Sequence, residues 1–151
     1  MFEPDFIAKI KLLFEERIAF NRVLGLVVEE IGAEHVSGSV AMRPELIGHY
    51  GHQRLHGGVI SATLDAMGGL AVMAAIGARH LDEPPDARLM RFGRLGTIDL
   101  RVDFLRQAIG ERFTAHAQTL RLGSRVASTR MEFLDARGHL LATGAGAYIV
   151  S

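Results

Sequence analysis

Gly57-Gly58-Val59-Ile60-Ser61-Ala62-Thr63-Leu64-Asp65-Ala66-Met67-Gly68-Gly69-Leu70-Ala71-Val72-Met73-Ala74-Ala75-Ile76-Gly77-Ala78 is an unbroken apolar stretch with one charge, Asp65. Its length would span a bilayer. Against a membrane span stand Gly57, Gly58, Gly68, Gly69 and Gly77, the lack of flanking aromatic belts, and a central carboxylate that costs about 2.5–3.5 kcal/mol in the middle of a membrane helix. A helix that is apolar on nearly every face can instead be wrapped by protein. The rest of the chain must then supply the wrapping.

Downstream, Thr97-Ile98-Asp99-Leu100-Arg101-Val102-Asp103-Phe104 alternates polar and apolar, so Ile98, Leu100, Val102 and Phe104 should point one way from a strand. Three more β stretches follow at 112–122, 125–134 and 140–150, punctuated by Gly110, Gly123-Ser124 and Asp135-Ala136-Arg137-Gly138. Such short turns imply antiparallel pairing. Upstream, Val27, Val28 and Ile31 and the run ending Val40-Ala41-Met42 read as two strands, closed by Pro44. Phe6, Ile7, Ile10, Leu13, Phe14 and Ile18 fall at helical spacing, which predicts one amphipathic helix over 5–18 with Asp5 as N-cap. The stretch 80–94, with Pro84-Pro85 and many charges, reads as a surface connection. The order predicts an α+β fold: a six-stranded antiparallel sheet curled around the long helix, with a helix at the N-terminus. One domain over 1–151 is expected, with 1–24 as helix and connection and 25–151 as core.

Composition narrows the function. Apolar residues make up 48% and charged residues 23%, with Lys+Arg at 17 and Asp+Glu at 17. A neutral balance gives no global field for nucleic acid or anionic membranes, so neither partner is expected. Zero cysteines exclude disulfides, thiolate metal sites and Cys nucleophiles. The acidic start Met1-Phe2-Glu3-Pro4-Asp5 lacks the order of a signal peptide, and a cytoplasmic protein is expected.

The chemistry concentrates in Leu55-His56-Gly57-Gly58 and the helix it opens. Two glycines at a helix start leave unpartnered amide N–H groups unshielded, where the helix dipole adds about half a positive charge. Such a terminus can polarise a carbonyl and hold an oxyanion. Asp65 is costly to bury unless it is partnered or used. Eight residues of helix rise put Gly57 and Asp65 about 12 Å apart, too far to act on one carbon within one chain. Two copies of the helix, antiparallel about a two-fold axis, would bring Asp65 of one chain opposite Gly57 of the other.

His56-Gly57-Gly58 with Asp65 nine positions after the His, in this helix-and-sheet order, resembles the hotdog-fold acyl-CoA thioesterases of the PaaI type. Phe20-Asn21-Arg22-Val23-Leu24-Gly25, residues 96–106 and Gly110-Glu111-Arg112-Phe113-Thr114-Ala115 are similar to the medium/long-chain branch of that family. The resemblance implies a hotdog fold and acyl-CoA hydrolysis in a homodimer or dimer of dimers, with coenzyme A as part of the substrate and no cofactor. It implies that Gly57 polarises the thioester carbonyl, that Asp65 of the partner attacks or activates water, and that His56 supports the loop. His49 stands where the family usually has Asn. Gly58 and Ser61 are expected to line the substrate site, Arg88, Arg91 and Arg94 to meet the coenzyme A phosphates, and Phe6, Phe14, Met67, Met73 and Phe104 to set the floor of an acyl groove. His49, His52 and His56 also invite a metal reading, but they sit in a Gly-rich loop without an acidic ligand, and no metal is expected. The runner-up function is a non-catalytic acyl-CoA binding or sensing module; a hotdog dehydratase ranks last, because His56-Gly57-Gly58 is not its Pro-Gly loop.

Overall fold

In the computed structural model, which describes residues 1–151, the apolar stretch forms helix α3 (Gly57–Arg79). It is long and apolar enough to cross a membrane, but most of its surface is buried inside the protein. Val59, Ile60, Thr63, Leu64, Met67 and everything from Gly68 to Ala74 are buried. The cover is a six-stranded sheet, in the order β1-β2-β6-β7-β8-β5, with every neighbouring pair antiparallel. Its strands are β1 (Val27–Ile31), β2 (His35–Ala41), β5 (Gly96–Phe104), β6 (Arg112–Leu122), β7 (Val126–Asp135) and β8 (Leu140–Ile149). A separate two-stranded ladder, β3 (Ile47–His49) with β4 (Arg54–Leu55), leads directly into the helix. This ladder was not expected from the sequence, since strands of three and two residues are too short to show a period.

The inner face follows from the period of two. Phe113, Ala115 and Ala117 on β6, and Ala127, Thr129, Met131 and Phe133 on β7, are buried, while the residues between them are mostly exposed. Small side chains in the inner layer let the helix lie close. A Cβ added at Gly144 on β8 would stand 3.1 Å from Met131 and 3.3 Å from Leu64 of the helix.

Strand β5 departs from its expected alternation. Leu100 and Val102 are half-buried, but Ile98 and Phe104 are 56% and 55% exposed. The reason is positional: β5 is an edge strand that pairs only with β8, with a bulge between Thr97 and Asp99.

The N-terminus is not one helix. α1 (Pro4–Leu12) passes into a π-helical turn over Leu13–Arg17, the chain is extended at Ile18 (φ −79°, ψ 100°), and α2 (Ala19–Leu24) follows. Pro4 takes the first helical position, which suits its fixed φ, so Glu3 rather than Asp5 is the N-cap residue. Asp5 instead pairs with Lys9 at 3.1 Å. Gly25, with φ +70°, ends α2 in the left-handed conformation that glycine adopts without strain.

The stretch 80–94 contains helix α4 (Pro85–Met90) and a 3-10 turn, Arg91–Arg94. Prolines read as breakers here initiate a helix, because Pro85 sits in its first turn. α4 packs on α1, with Lys9 bonded to Asp86 at 2.7 Å. Arg88 is fully buried, paired with Glu3 and lying 4.1 Å over the Phe6 ring. A buried guanidinium that loses its carboxylate keeps its full desolvation cost. We therefore expect Glu3→Gln to lower unfolding free energy by about 1–3 kcal/mol, and the double variant Glu3→Gln/Arg88→Met to recover most of that loss. Urea unfolding of the four-member cycle checks this.

Candidate active site

The start of α3 is held by its own N-cap. His56 is extended (φ −63°, ψ 135°), and its Nδ1 accepts the Gly58 N–H at 2.7 Å. Nδ1 is thus an acceptor, and the ring proton belongs on Nε2. The His56 carbonyl accepts from Val59 N–H at 2.9 Å and Ile60 N–H at 3.4 Å. Every first-turn amide then has a partner except that of Gly57. The local backbone is pinned from behind, with His56 N–H on the Leu46 carbonyl at 2.8 Å and Leu55 N–H on the Ala108 carbonyl at 2.9 Å. Gly48 permits this approach: a Cβ there would lie 2.6 Å from His56 Cα.

The free Gly57 amide lies on a cavity of about 540 Å³, shared with His49, Arg54, His56, Phe104 and Arg106 and lined by no carboxylate. Any side chain at Gly57 would crowd Phe104, whose ring stands 3.3 Å from the position of a Cβ. His49 is exposed and stacks on Tyr50, with ring centroids 5.8 Å apart. Its ring lies 4.5 Å from that of His52, while His56 Nδ1 is turned to Gly58. The three imidazoles therefore do not converge, and no group of three His, Asp or Glu side chains is placed to hold a metal ion.

Asp65 sits two turns along α3, half-buried, and is tethered at one oxygen. Thr97 Oγ1 donates to Oδ1 at 2.9 Å, and Tyr148 Oη lies 3.2 Å from the same Oδ1 and 3.0 Å from the Asp65 carbonyl. Oδ2 has no protein partner and is not sealed from solvent. Burial, and after it the Asp65 charge and hydrogen bond, pushes the Tyr148 hydroxyl far above the ordinary phenol range. Tyr148 therefore stays a donor throughout any working pH. Neither Thr97 nor Tyr148 was singled out in the sequence. Thr97 opens the most regular alternating stretch and reads there as a strand residue, and Tyr148 gives no local signal, because only the sheet order brings β8 and the bulge of β5 under Asp65.

Asp65 opens on a different cleft, of about 270 Å³, which shares no lining residue with the cavity at Gly57. Within one chain the expected acid and oxyanion sites are separate. Between them runs a stripe of α3 that the sheet leaves open: Gly57, Ser61, Ala62, Asp65 and Ala66 are half-buried and Gly58 is exposed. Of the other expected site residues, Gly58 has its amide occupied by His56, and Ser61 Oγ donates back to the Gly57 carbonyl at 3.0 Å. Arg88 is sealed in the α1–α4 contact and cannot reach a substrate. Arg91 is clamped by Glu83 at 2.5 and 3.1 Å, and Arg94 is exposed beside His80 and Arg79, near the far end of α3. Phe6, Met67 and Met73 are fully buried in the core and floor no groove; Phe14 borders the Asp65 cleft and Phe104 the Gly57 cavity.

A family model described as thioesterase superfamily matches residues 52–142, more than half of the chain and the whole span from α3 to the start of β8. The Escherichia coli (strain K12) medium/long-chain acyl-CoA thioesterase YigI is 37% identical over 138 residues, covering 91% of this chain and 89% of that protein. Its namesake in Salmonella typhimurium is 36% identical over the same shares. A crystal structure from Shewanella oneidensis, of a protein related to the thioesterase superfamily, superposes with a TM-score of 0.91 at 35% identity and covers 99% of this chain and 100% of that one. The curled sheet around a long helix is thus the hotdog fold of these structures.

The His56 cap makes a prediction independent of activity. His56→Ala removes the acceptor for Gly58 N–H and should cost about 1 kcal/mol, the ordinary value of a lost N-cap. His56→Asn, which can also cap, should restore most of it. In a chain of this size the difference is about 2–4 °C in melting temperature, read by thermal unfolding of the two variants side by side.

Proposed function

This chain belongs to the thioesterase superfamily and is a thioester hydrolase, and we propose that its substrate is a medium- or long-chain acyl-CoA, cleaved at a site shared between two subunits. The acyl class follows the Escherichia coli relative. The observation that carries the mechanism is the pairing of one unpartnered amide, Gly57 N–H, with a carboxylate tethered at Oδ1 and free at Oδ2. The two lie about 12 Å apart along one helix.

A two-fold axis that sets two copies of α3 antiparallel closes that gap. The open stripe of α3 and the unpaired edge of β5, with exposed Ile98 and Phe104, are the surfaces a second copy would cover. The thioester carbonyl then rests on Gly57 N–H of one subunit, and Asp65 of the partner subunit faces the carbonyl carbon. Oδ2 takes a proton from water as the water oxygen bonds to carbon, and the oxyanion gathers on the Gly57 amide at the positive end of α3. Collapse breaks the C–S bond, and the proton held by Asp65 passes to the leaving thiolate. Thr97 and Tyr148, holding Oδ1, aim Oδ2 at the carbon. Direct attack by Oδ2, giving an anhydride, uses the same geometry. Single turnover in ¹⁸O water, followed by mass analysis of Asp65, separates the two routes.

Coenzyme A phosphates fit the carboxylate-free cavity at Gly57, where Arg54 and Arg106 supply the charge. These replace Arg88, Arg91 and Arg94 in the proposed binding set. Free thiol release from a panel of acyl-CoA substrates tests the activity. Asp65→Asn should abolish it, and Thr97→Val and Tyr148→Phe should each lower kcat/KM by about tenfold, the value of one hydrogen bond to a charged group.

The shared site has its own test. Gly57→Val and Asp65→Asn, each inactive alone, should complement when mixed. Equal amounts give about half mixed dimers, each with one intact site, so about a quarter of wild-type activity per subunit returns. Native mass spectrometry confirms exchange; exchange without recovered activity refutes the shared site.

A further inference from the structure

The cleft at Asp65 is lined mainly by apolar residues. Asp65, Thr97, Tyr148 and Asn21 are its polar residues, and around them stand Phe14, Ile18 and Phe20 from the N-terminal segment, Phe92 and Leu95 from the turn before β5, and Gly69 from α3. Phe14 and Phe92, both lining the cleft, meet edge to face with centroids 5.5 Å apart. Phe20, at 59% exposure, is a large apolar side chain left open to water.

A break in helical geometry builds this cleft. Ile18 N–H bonds the Leu13 carbonyl at 3.0 Å, five residues back, and Ile18 then leaves the helix. Such π turns are rare and concentrate at functional sites. Here two side chains lock it: buried Asn21 donates to the Phe14 carbonyl at 2.9 Å, and Glu15 accepts from Val28 N–H at 2.7 Å. The locked turn sets Phe14, Ile18 and Phe20 around one space that opens on the Asp65 carboxylate.

We infer that this cleft holds the acyl chain of the substrate, and that Gly69 and the Phe14–Phe92 pair limit how long a chain is accepted. The inference rests on the acyl-CoA hydrolase reading above. A linear chain with a reactive carbonyl at one end matches a cleft with mostly hydrocarbon walls and one carboxylate on its lining. A cleft of about 270 Å³ is far larger than the space one water molecule needs, so it has room for several carbons of a chain. Each methylene buried should raise kcat/KM about fourfold until the cleft is full.

Gly69 lies one turn beyond Asp65 on the same face of α3. A Cβ added there would stand 3.6 Å from Leu95 and 4.0 Å from Tyr148, which is ordinary contact. Gly69→Ala therefore adds a methyl inside the cleft without moving its walls, and should also favour the helix.

The test compares wild type, Gly69→Ala and Phe92→Ala on straight-chain acyl-CoA substrates from C4 to C18. A second readout, isothermal titration with straight-chain carboxylates over the same lengths, needs no catalysis. Gly69→Ala should shorten the optimum in both readouts by about one or two carbons, and Phe92→Ala should lengthen it by about two to four. If both variants keep wild-type circular dichroism and wild-type length profiles, or if only Leu105→Ala in the Gly57 cavity moves the profile, the assignment is overturned. Should wild type cleave no acyl-CoA, the hydrolase reading fails by itself. The carboxylate titrations then still decide the cleft: a length optimum moved by Gly69→Ala supports it, and no length-dependent binding overturns it.

Discussion

The structure is organised around one demand: a helix that is apolar on nearly every face must be kept from water. The six-stranded sheet meets it on most sides, with alternating inner residues and small side chains where the helix presses closest. The N-terminal segment and α4 cover part of what is left, Phe6 packing so near Gly77 that a Cβ there would overlap its ring. Along the first half of the helix a stripe from Gly57 to Ala66 stays open. That stripe carries both groups with chemical potential, an amide at the helix start and a carboxylate two turns on. The burial problem and the chemistry therefore meet on the same surface.

Each of these groups is prepared by a neighbour that takes no part in the bond changes we propose. His56 occupies the Gly58 amide and so leaves Gly57 as the one unpartnered amide of the first turn of α3. Thr97 and Tyr148 occupy Oδ1 of Asp65 and so leave Oδ2 free. Competing partners are removed, and the remaining donor and acceptor are aimed. Preorganisation of this kind matters because dipoles already in position need no reorientation as charge develops.

The stretch 80–94 shows how charge and proline mislead when read locally. In isolation its arginines look like surface groups suited to phosphate. In the fold, Pro85 starts a helix, and Arg88 is drawn into the interior, where one guanidinium nitrogen pairs with Glu3, eighty-five positions earlier, and the group lies over the Phe6 ring, while Nε and Nη1 stay without a hydrogen-bond partner. The cationic groups that do line the Gly57 cavity, Arg54 and Arg106, come from a two-residue strand and from the loop after β5.

What the sequence by itself determined was set by period and composition. Apolar length named the central helix, alternation named the strands, and short glycine-containing turns required antiparallel pairing, since these are local consequences of backbone geometry. His56-Gly57-Gly58 and Asp65 were legible for the same reason: a helix start and a lone charge on an apolar face are visible without a fold. Helix rise alone also separated them by about 12 Å. Tertiary structure decided the rest. The π turn at Leu13–Arg17 depends on Asn21 and on Glu15 reaching β1, and the bulge at Thr97 depends on β8. The tether on Asp65 requires Thr97 and Tyr148, and Tyr148 arrives from eighty-three positions away. Exposure of Ile98 and Phe104 depends on β5 being an edge. A periodic pattern says which side of a strand is apolar, but only the packing of distant elements says whether anything lies against it.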